Sequence, residues 1–468
     1  MERFARQQER AVRQLEEVAR WKLELASGYE TQIKAVLPGD GNLTDVEMAG
    51  GLGEYLREVH AQYGPLVSFH LGKQLVISLG TYELMEQHSG AAERPELYLE
   101  FLRPLLGRES IVWADRAETT RRWRLYQQGF SEECRAVYRQ AARERLDARA
   151  APAPLTLIMR LLAVRRPAVS PRSCSRSRRR STCRCKQYTS ALALHIVARC
   201  CCLHHMDDEH SMLSFAQEYE IVTAEVTSEA CGRQLYESQQ DHLLEAAAAL
   251  RDVAAAIVRK HRRENKSTVS LVEWVALSAQ GSRAGGDSEA HVSDLLALFM
   301  FFCETLSSGL CWTLYYLSQH QTVQDAVVAQ LAGEQTDTGL VGRVIREAWR
   351  LSSVVPLTAR CYSSPSAVQG HTLPARTPIV APSVFDPARF EGDTPPLELN
   401  PLPFLSKHDD IEGASSLYQE LVTEVLHVLL TPSQLELLPD QSQEQLMTLV
   451  TTPREDVWVS VSPRSADA

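Results

Sequence analysis

Three places in this sequence hold residues whose types and spacing could do chemistry. In the first, Glu347 and Arg350 lie three apart in a segment of helical period, Arg343–Arg350, so they share a face and can pair. Arg389 follows in Phe385-Asp386-Pro387-Ala388-Arg389-Phe390, and a carboxylate flanked by two guanidinium groups forms a strong charge-assisted cluster. A Glu-x-x-Arg alone reads as a solvated helix face. Its surroundings give it weight: Pro356 ends the helix, Arg360 lies on a short extended stretch, and the turn Leu373–Thr377 precedes the Phe385 segment. The second place is Glu304-Thr305, inside Val292–Leu317, the most apolar stretch of the chain. A carboxylate beside a hydroxyl can pass protons through water in a dry pocket, and the alternative is an incidental pair on a core helix. The third, Cys200-Cys201-Cys202 with His204 and His205, invites a metal reading. Adjacent ligands on a helix point apart and no second Cys/His pair has zinc spacing, so these residues read as core, and no metal site is assigned. The sequence holds no nucleophile elbow, phosphate loop or dinucleotide fingerprint.

The elements that must position these residues are mostly helical. Val292–Leu317 is long enough for a membrane span, but Glu304, Thr305, Ser307 and Ser308 argue for a buried helix of a soluble domain. Gly51–Tyr63 carries Leu52, Tyr55, Leu56 and Val59 on one stripe, and Leu66–Leu71 and Leu75–Leu79 read as a hairpin across Gly72-Lys73-Gln74. Helices are also expected at Glu83–Gln87, Ala117–Ser131, Ala191–His205, Gln240–Lys260 and Leu417–Leu430. A closing hairpin is expected at Leu446–Val461, pairing Thr448–Thr451 with Val457–Val461 through a turn at Pro453. Residues 1–40 read as a charged N-terminal helix without a membrane anchor. Residues 160–190 contain Arg165–Lys186, an Arg/Ser/Pro-rich segment expected to be a disordered insert. Periodicity alone gives a mostly α chain with a few hairpins. With 468 residues, 44% of them hydrophobic, the chain can bury one large core or two to three domains. A net charge of -10 argues against a general nucleic-acid binder. Eleven irregularly placed cysteines with no secretory signal ahead of them suit a reducing compartment, so the sequons at Asn42 and Asn265 carry no weight.

The order of Glu347-x-x-Arg350, the Arg360 strand, Pro374-x-x-Thr377 and Phe385–Phe390 resembles the C-terminal half of the cytochrome P-450 superfamily. The stretches Asp40–Asp45, Tyr63–Phe69 and Leu75–Thr81 are most similar to family 20, subfamily A, an orphan branch without a settled substrate. The resemblance implies a fold that is mainly α with a small β-rich lobe (α+β), a structural triad of Glu347, Arg350 and Arg389, a haem-propionate contact from Arg360, and Glu304-Thr305 as the acid–alcohol pair on the helix crossing the haem. It would give Arg124 the other propionate contact, although the residues around Arg124, with Trp123 out of step, read rather as a solvated basic face. It implies a haem-dependent monooxygenase at the cytosolic face of the endoplasmic reticulum membrane. Such an enzyme takes electrons from NADPH through a cytochrome reductase and oxidises a lipophilic small molecule. Without an anchor, a cytoplasmic location or peripheral membrane contact would follow.

The sequence departs from that pattern where the iron ligand belongs. In Phe404–Gly413 the glycine position holds Lys407, the arginine position Asp409 and the axial-cysteine position Ile411. The last cysteine of the chain is Cys361, and His408 lies three residues early for a replacement ligand. A further helix expected before Phe385 is missing, and Phe301 and Phe302 stand where the family prefers small residues. The haem-thiolate reading therefore competes with a haem-free scaffold or binding protein and with an aberrant isoform.

Overall fold

The computed structural model describes residues 41–88, 90–91, 93–95, 99–146, 181–202, 209–230, 235–264, 270–278, 287–333, 339–382, 400–405, 409, 411–442 and 444–464. Several expectations fall outside the described residues. They are the N-terminal helix over residues 1–40, most of the basic insert, the side chains of Cys201 and Cys202, His204, His205, Lys407, His408, and the segment 385–390 with Arg389. Two compact units account for the chain. The first comprises Met1–Phe101, Val226–Tyr236 and Pro356–Val384, and the second comprises Leu102–Glu225, Glu237–Val355 and Phe385–Ala468.

The first unit is the β-rich lobe. Its four-stranded sheet runs in the order Leu66–Leu71, Gln74–Leu79, Ile379–Pro382, Leu357–Arg360. The first two strands form the expected hairpin, with Leu71 opposite Gln74. Ile379–Pro382 joins parallel, Ile77 opposite Ile379, and Leu357–Arg360 adds antiparallel. Alternation sorts the side chains by face. Val67, Phe69 and Val76 pack with Tyr55, Leu56 and Val59 of helix α2 (Leu52–Tyr63), behind the shorter α1 (Leu43–Ala49). Leu66, Ile77 and Leu79 face the other way, onto Leu84 of α3 (Tyr82–Gln87) and onto Val368 and Leu373 of the small hairpin Ser366–Val368/His371–Leu373. Gly41 is irreplaceable here: its φ is +65° and a Cβ would meet the carbonyl oxygens of His70 and Gly72 at 2.6 Å.

The second unit is helical and is built around one element. After the short α4 (Arg103–Leu106) come α5 (Arg116–Tyr126), α6 (Glu132–Leu146), α7 (Cys185–Cys202), α8 (Glu209–Ala230), α9 (Glu237–Glu264) and α10 (Leu271–Ser278). The next helix, α11 (Asp287–Gln319), is the centre; α12 (Gln321–Leu331), α13 (Leu340–Ser352) and α14 (Glu412–Leu430) complete the set. By length and hydropathy α11 could cross a membrane, yet its most apolar window is 89% buried within the protein, as a core helix is. Gly309 lets α14 approach α11: a Cβ there would lie 1.6 Å from the Tyr418 hydroxyl, and the Tyr418 ring meets Trp349 of α13 edge-on at 4.8 Å. An arginine stripe on α6 clasps α14, with Arg135 at 3.1 Å and Arg139 at 2.7 Å from Glu420, and Arg143 at 2.6 Å from Glu424.

Two expectations are corrected in this unit. The disorder expected over 160–190 does not reach its C-terminal part. Ser181–Arg184 forms a strand against residues 458–461, the Arg184 guanidinium lies 4.8 Å over the Trp458 ring, and Cys185 opens α7. The register and a cation–π contact outweigh the unfavourable composition. The closing hairpin also pairs differently. Residues 448–450 form the turn between Gln445–Met447 and Thr451–Pro453, whereas Trp458–Pro463 is the middle strand between Ser181–Arg184 and Ser433–Leu437. Thr451 is drawn away from the last strand because its carbonyl accepts from both Ser308 Oγ (2.6 Å) and Trp312 Nε1 (2.8 Å) of α11.

Candidate functional site

The site is nearly two turns of α11, residues 301–307, with the residues that face it within the second unit. Thr305 is fully buried. Its hydroxyl lies 2.8 Å from the Phe301 carbonyl one turn back, 3.2 Å from that of Phe302 and 3.3 Å from that of Pro401, and it can donate to one of these at a time. Glu304, the neighbouring residue, projects elsewhere, as consecutive helical residues must. Its carboxylate accepts a 2.8 Å hydrogen bond from the Tyr219 hydroxyl of α8. Burial raises the Glu304 pKa, opposed by the Tyr219 hydrogen bond and by the positive field of Lys186 on α7. Burial likewise pushes the Tyr219 phenol and the Cys303 thiol well above their ordinary ranges. Beside them Ser307 meets Ser190 of α7 at 2.9 Å. Glu304 and Thr305 are thus adjacent in sequence and served by different walls, α8 and the Pro401 segment.

The other expected residues fall as follows. Glu347 and Arg350 pair in a bidentate fork at 2.8 and 2.5 Å on α13, which holds the Glu347 carboxyl below its usual range. Arg389, expected as a third member of that cluster, lies outside the described residues. Arg124 is exposed on α5, with Trp123 and Tyr126 on the buried side. Arg360 ends its strand in the first unit, half-buried, its guanidinium donating to the Ala359 carbonyl at 2.8 Å. Sequence reasoning passed over a buried polar centre ten residues before Glu304. Asp294 of α11 is fully buried and accepts from Tyr126 Oη at 2.7 Å, Arg122 Nη1 at 3.1 Å and the Ile111 amide at 2.5 Å. Burial is the largest influence on it and lifts its pKa to about 6 against the pull of those partners. The signal was a lone acid within an apolar run, Val292-Ser293-Asp294-Leu295.

The segment in which the resemblance leads one to expect an iron ligand is, where described, packed as core. Leu402, Phe404 and Leu405 are buried, and the Phe404 ring lies 5.2 Å from that of Phe301. Ile411, 2% exposed, is the N-cap of α14, its carbonyl accepting from Ser415 at 2.9 Å. Two residues on, Gly413 fits against Phe130, where a Cβ would meet the Phe130 carbonyl oxygen at 2.6 Å. Among the described residues, no group of three or more His, Cys, Asp or Glu is placed to hold a metal ion.

A cytochrome P450 family model matches residues 173–395. Over 91% of both chains, the sequence is 24% identical to cytochrome P450 20A1 of Mus musculus and 22% identical to that of Bos taurus. By these likenesses the chain resembles the cytochrome P450 superfamily. Its likeness runs to family 20, subfamily A, and the mainly helical fold with small sheets is the P450 fold. A shorter likeness, 28% identity over 45% of this chain and 47% of the other, joins it to a putative cytochrome P450 137 of Mycobacterium tuberculosis. P450 proteins are in general haem-dependent monooxygenases. The described residues of this chain do not fit a thiolate-ligated haem. At the position that the resemblance assigns to the axial cysteine, Ile411 offers no electron pair, and both Thr305 and Phe301 touch the segment 401–404.

Proposed function

We propose that this chain is a monooxygenase-type protein of the P450 superfamily whose own catalysis is impaired at the iron ligand. The reaction class is O2-dependent oxidation of a lipophilic small molecule at haem, with electrons from NADPH delivered by a reductase at the cytosolic face of the endoplasmic reticulum membrane. The observation that carries the reaction class is likeness to cytochromes P450 20A1 along 91% of both chains. Glu304, enclosed and hydrogen-bonded to Tyr219, and Thr305 beside it supply the protein side of a proton route on the central helix. The impairment is carried by Ile411, a hydrocarbon in the axial position and buried at the start of α14. That burial also favours a second reading, a haem-free binding protein that keeps the fold.

The test is an absorption spectrum of the purified full chain produced with haem precursor, then reduced under carbon monoxide. The expected result is a folded protein without the red-shifted carbon monoxide band of thiolate ligation. A stoichiometric, red-shifted band with NADPH-driven oxidation through a reductase would overturn the impairment. A folded protein with no haem that still binds lipophilic compounds would favour the second reading.

A further inference from the structure

We infer that the face of α11 toward the segment 401–404, where the family's haem would lie, is closed by this chain's own side chains with Phe301 as the barrier, so that restoring a cysteine at position 411 alone does not restore haem binding. The inference rests on the proposed impairment at the iron ligand. It starts from two contacts one helical turn apart. The Phe301 and Phe404 rings lie 5.2 Å apart, both essentially without solvent contact, and Thr305 Oγ1 lies 3.3 Å from the Pro401 carbonyl oxygen. Positions four apart share a face of the helix, so α11 and the segment touch along a line rather than at a point. A flat macrocycle between two walls needs van der Waals contact of about 3.5–4.0 Å on each of its faces, which holds the walls about 7–8 Å apart. Neither contact leaves that gap. On its other side the same turn is filled as well: Phe302 lies 6.2 Å from Phe130, and Phe130 packs on Trp123 at 5.7 Å.

Four full-length proteins test this: the unaltered chain, Ile411→Cys, Phe301→Ala and the double variant, each produced with haem precursor. Haem per chain is read from the Soret band, and the unfolding midpoint is read on haem-free protein. Ile411→Cys is expected to carry no more haem than the unaltered chain. Phe301→Ala is expected to lower the haem-free midpoint by several degrees, because a ring packed on Phe404 leaves a cavity when removed. The double variant is expected to take up several-fold more haem than Ile411→Cys. Stoichiometric haem in Ile411→Cys would overturn the closure while leaving the proposed impairment intact. A red-shifted band in the unaltered chain would instead sink the impairment itself. An unchanged midpoint in Phe301→Ala, or a double variant with no more haem than Ile411→Cys, would show that Phe301 is not the barrier.

Discussion

Helix α11 turns two carboxylates inward ten residues apart, Asp294 fully buried and Glu304 half-buried, and their surroundings differ. Asp294 is met by three donors: a phenol, a guanidinium and a backbone amide. Glu304, among the described residues, has one hydrogen bond, from Tyr219. Convergent donors make a buried acid part of the framework, joining α11 to α5 and to the loop at Ile111. A single donor leaves an acid whose protonation can change without unpicking the fold. Asp294→Ala breaks the comparison at its stronger end. It takes the shared acceptor from the Tyr126 hydroxyl and the Ile111 amide, and each lost hydrogen bond costs about 0.5–1.5 kcal/mol, so a loss of about 1–3 kcal/mol is expected in chemical denaturation. A loss below about 1 kcal/mol would mean that water reaches the site and that the cluster is not framework.

The pH dependence sharpens the same point. The Asp294 pKa in the folded chain is raised from 3.8 to about 6, so the folded state holds this proton more tightly than the unfolded state. Its stabilising contribution is therefore present below the unfolded pKa near 3.8 and is lost as pH rises through about 6. Asp294→Asn, which cannot ionise, should gain on the unaltered chain by about 2.4 kcal/mol between pH 4 and pH 7, at 1.36 kcal/mol per pKa unit. Parallel stability curves for the two proteins would refute it.

The next effect concerns how α11 meets α14. Gly309→Ala puts a methyl group into the Tyr418 hydroxyl, and overpacking of this kind costs about 1–3 kcal/mol. Tyr418→Phe in that background removes the clashing oxygen and should recover part of the loss. If Gly309→Ala is neutral, the two helices are not held together at this notch.

Much of the fold was legible because it depends on local pattern. The stripe of Tyr55, Leu56 and Val59 and the Gly72 turn placed a helix and a hairpin within a residue or two. Glu347 and Arg350 were legible as a pair because helical spacing brings them together whatever surrounds them. The partners of Thr451 were not legible: two donors from α11 lie far away in sequence, and no local pattern announces them. The same holds for Asp294, whose three donors precede it by 168 to 183 residues. The Phe301–Phe404 contact was half legible, since bulk at Phe301 was visible but not what it would touch.

At the weaker carboxylate, smaller changes are expected. Burial raises the Glu304 pKa, so ionising it as pH rises opposes folding. Glu304→Gln should therefore be relatively more stabilising at pH 8 than at pH 4. Tyr219→Phe removes the hydrogen bond that favours the ionised form and should steepen the loss of stability with rising pH. A Tyr219→Phe chain with an unaltered pH profile would show that the phenol does not tune the acid.

The smallest effect is expected at Glu347. Its side chain is 55% exposed while that of Arg350 is 15% exposed, so the carboxylate is solvated and the pair contributes little to stability. Glu347→Ala should cost about 0–1 kcal/mol in denaturant unfolding. The depressed Glu347 pKa places its modest contribution above the unfolded pKa, to be lost as pH falls through the lower folded value. A cost of about 3 kcal/mol or more would belong to a buried, fully engaged cluster rather than a surface pair. Repeating the measurement in an Arg389→Ala background then decides the matter. If the two losses add, Arg389 is independent of the pair; if the second change costs nothing further, the three residues act as one unit.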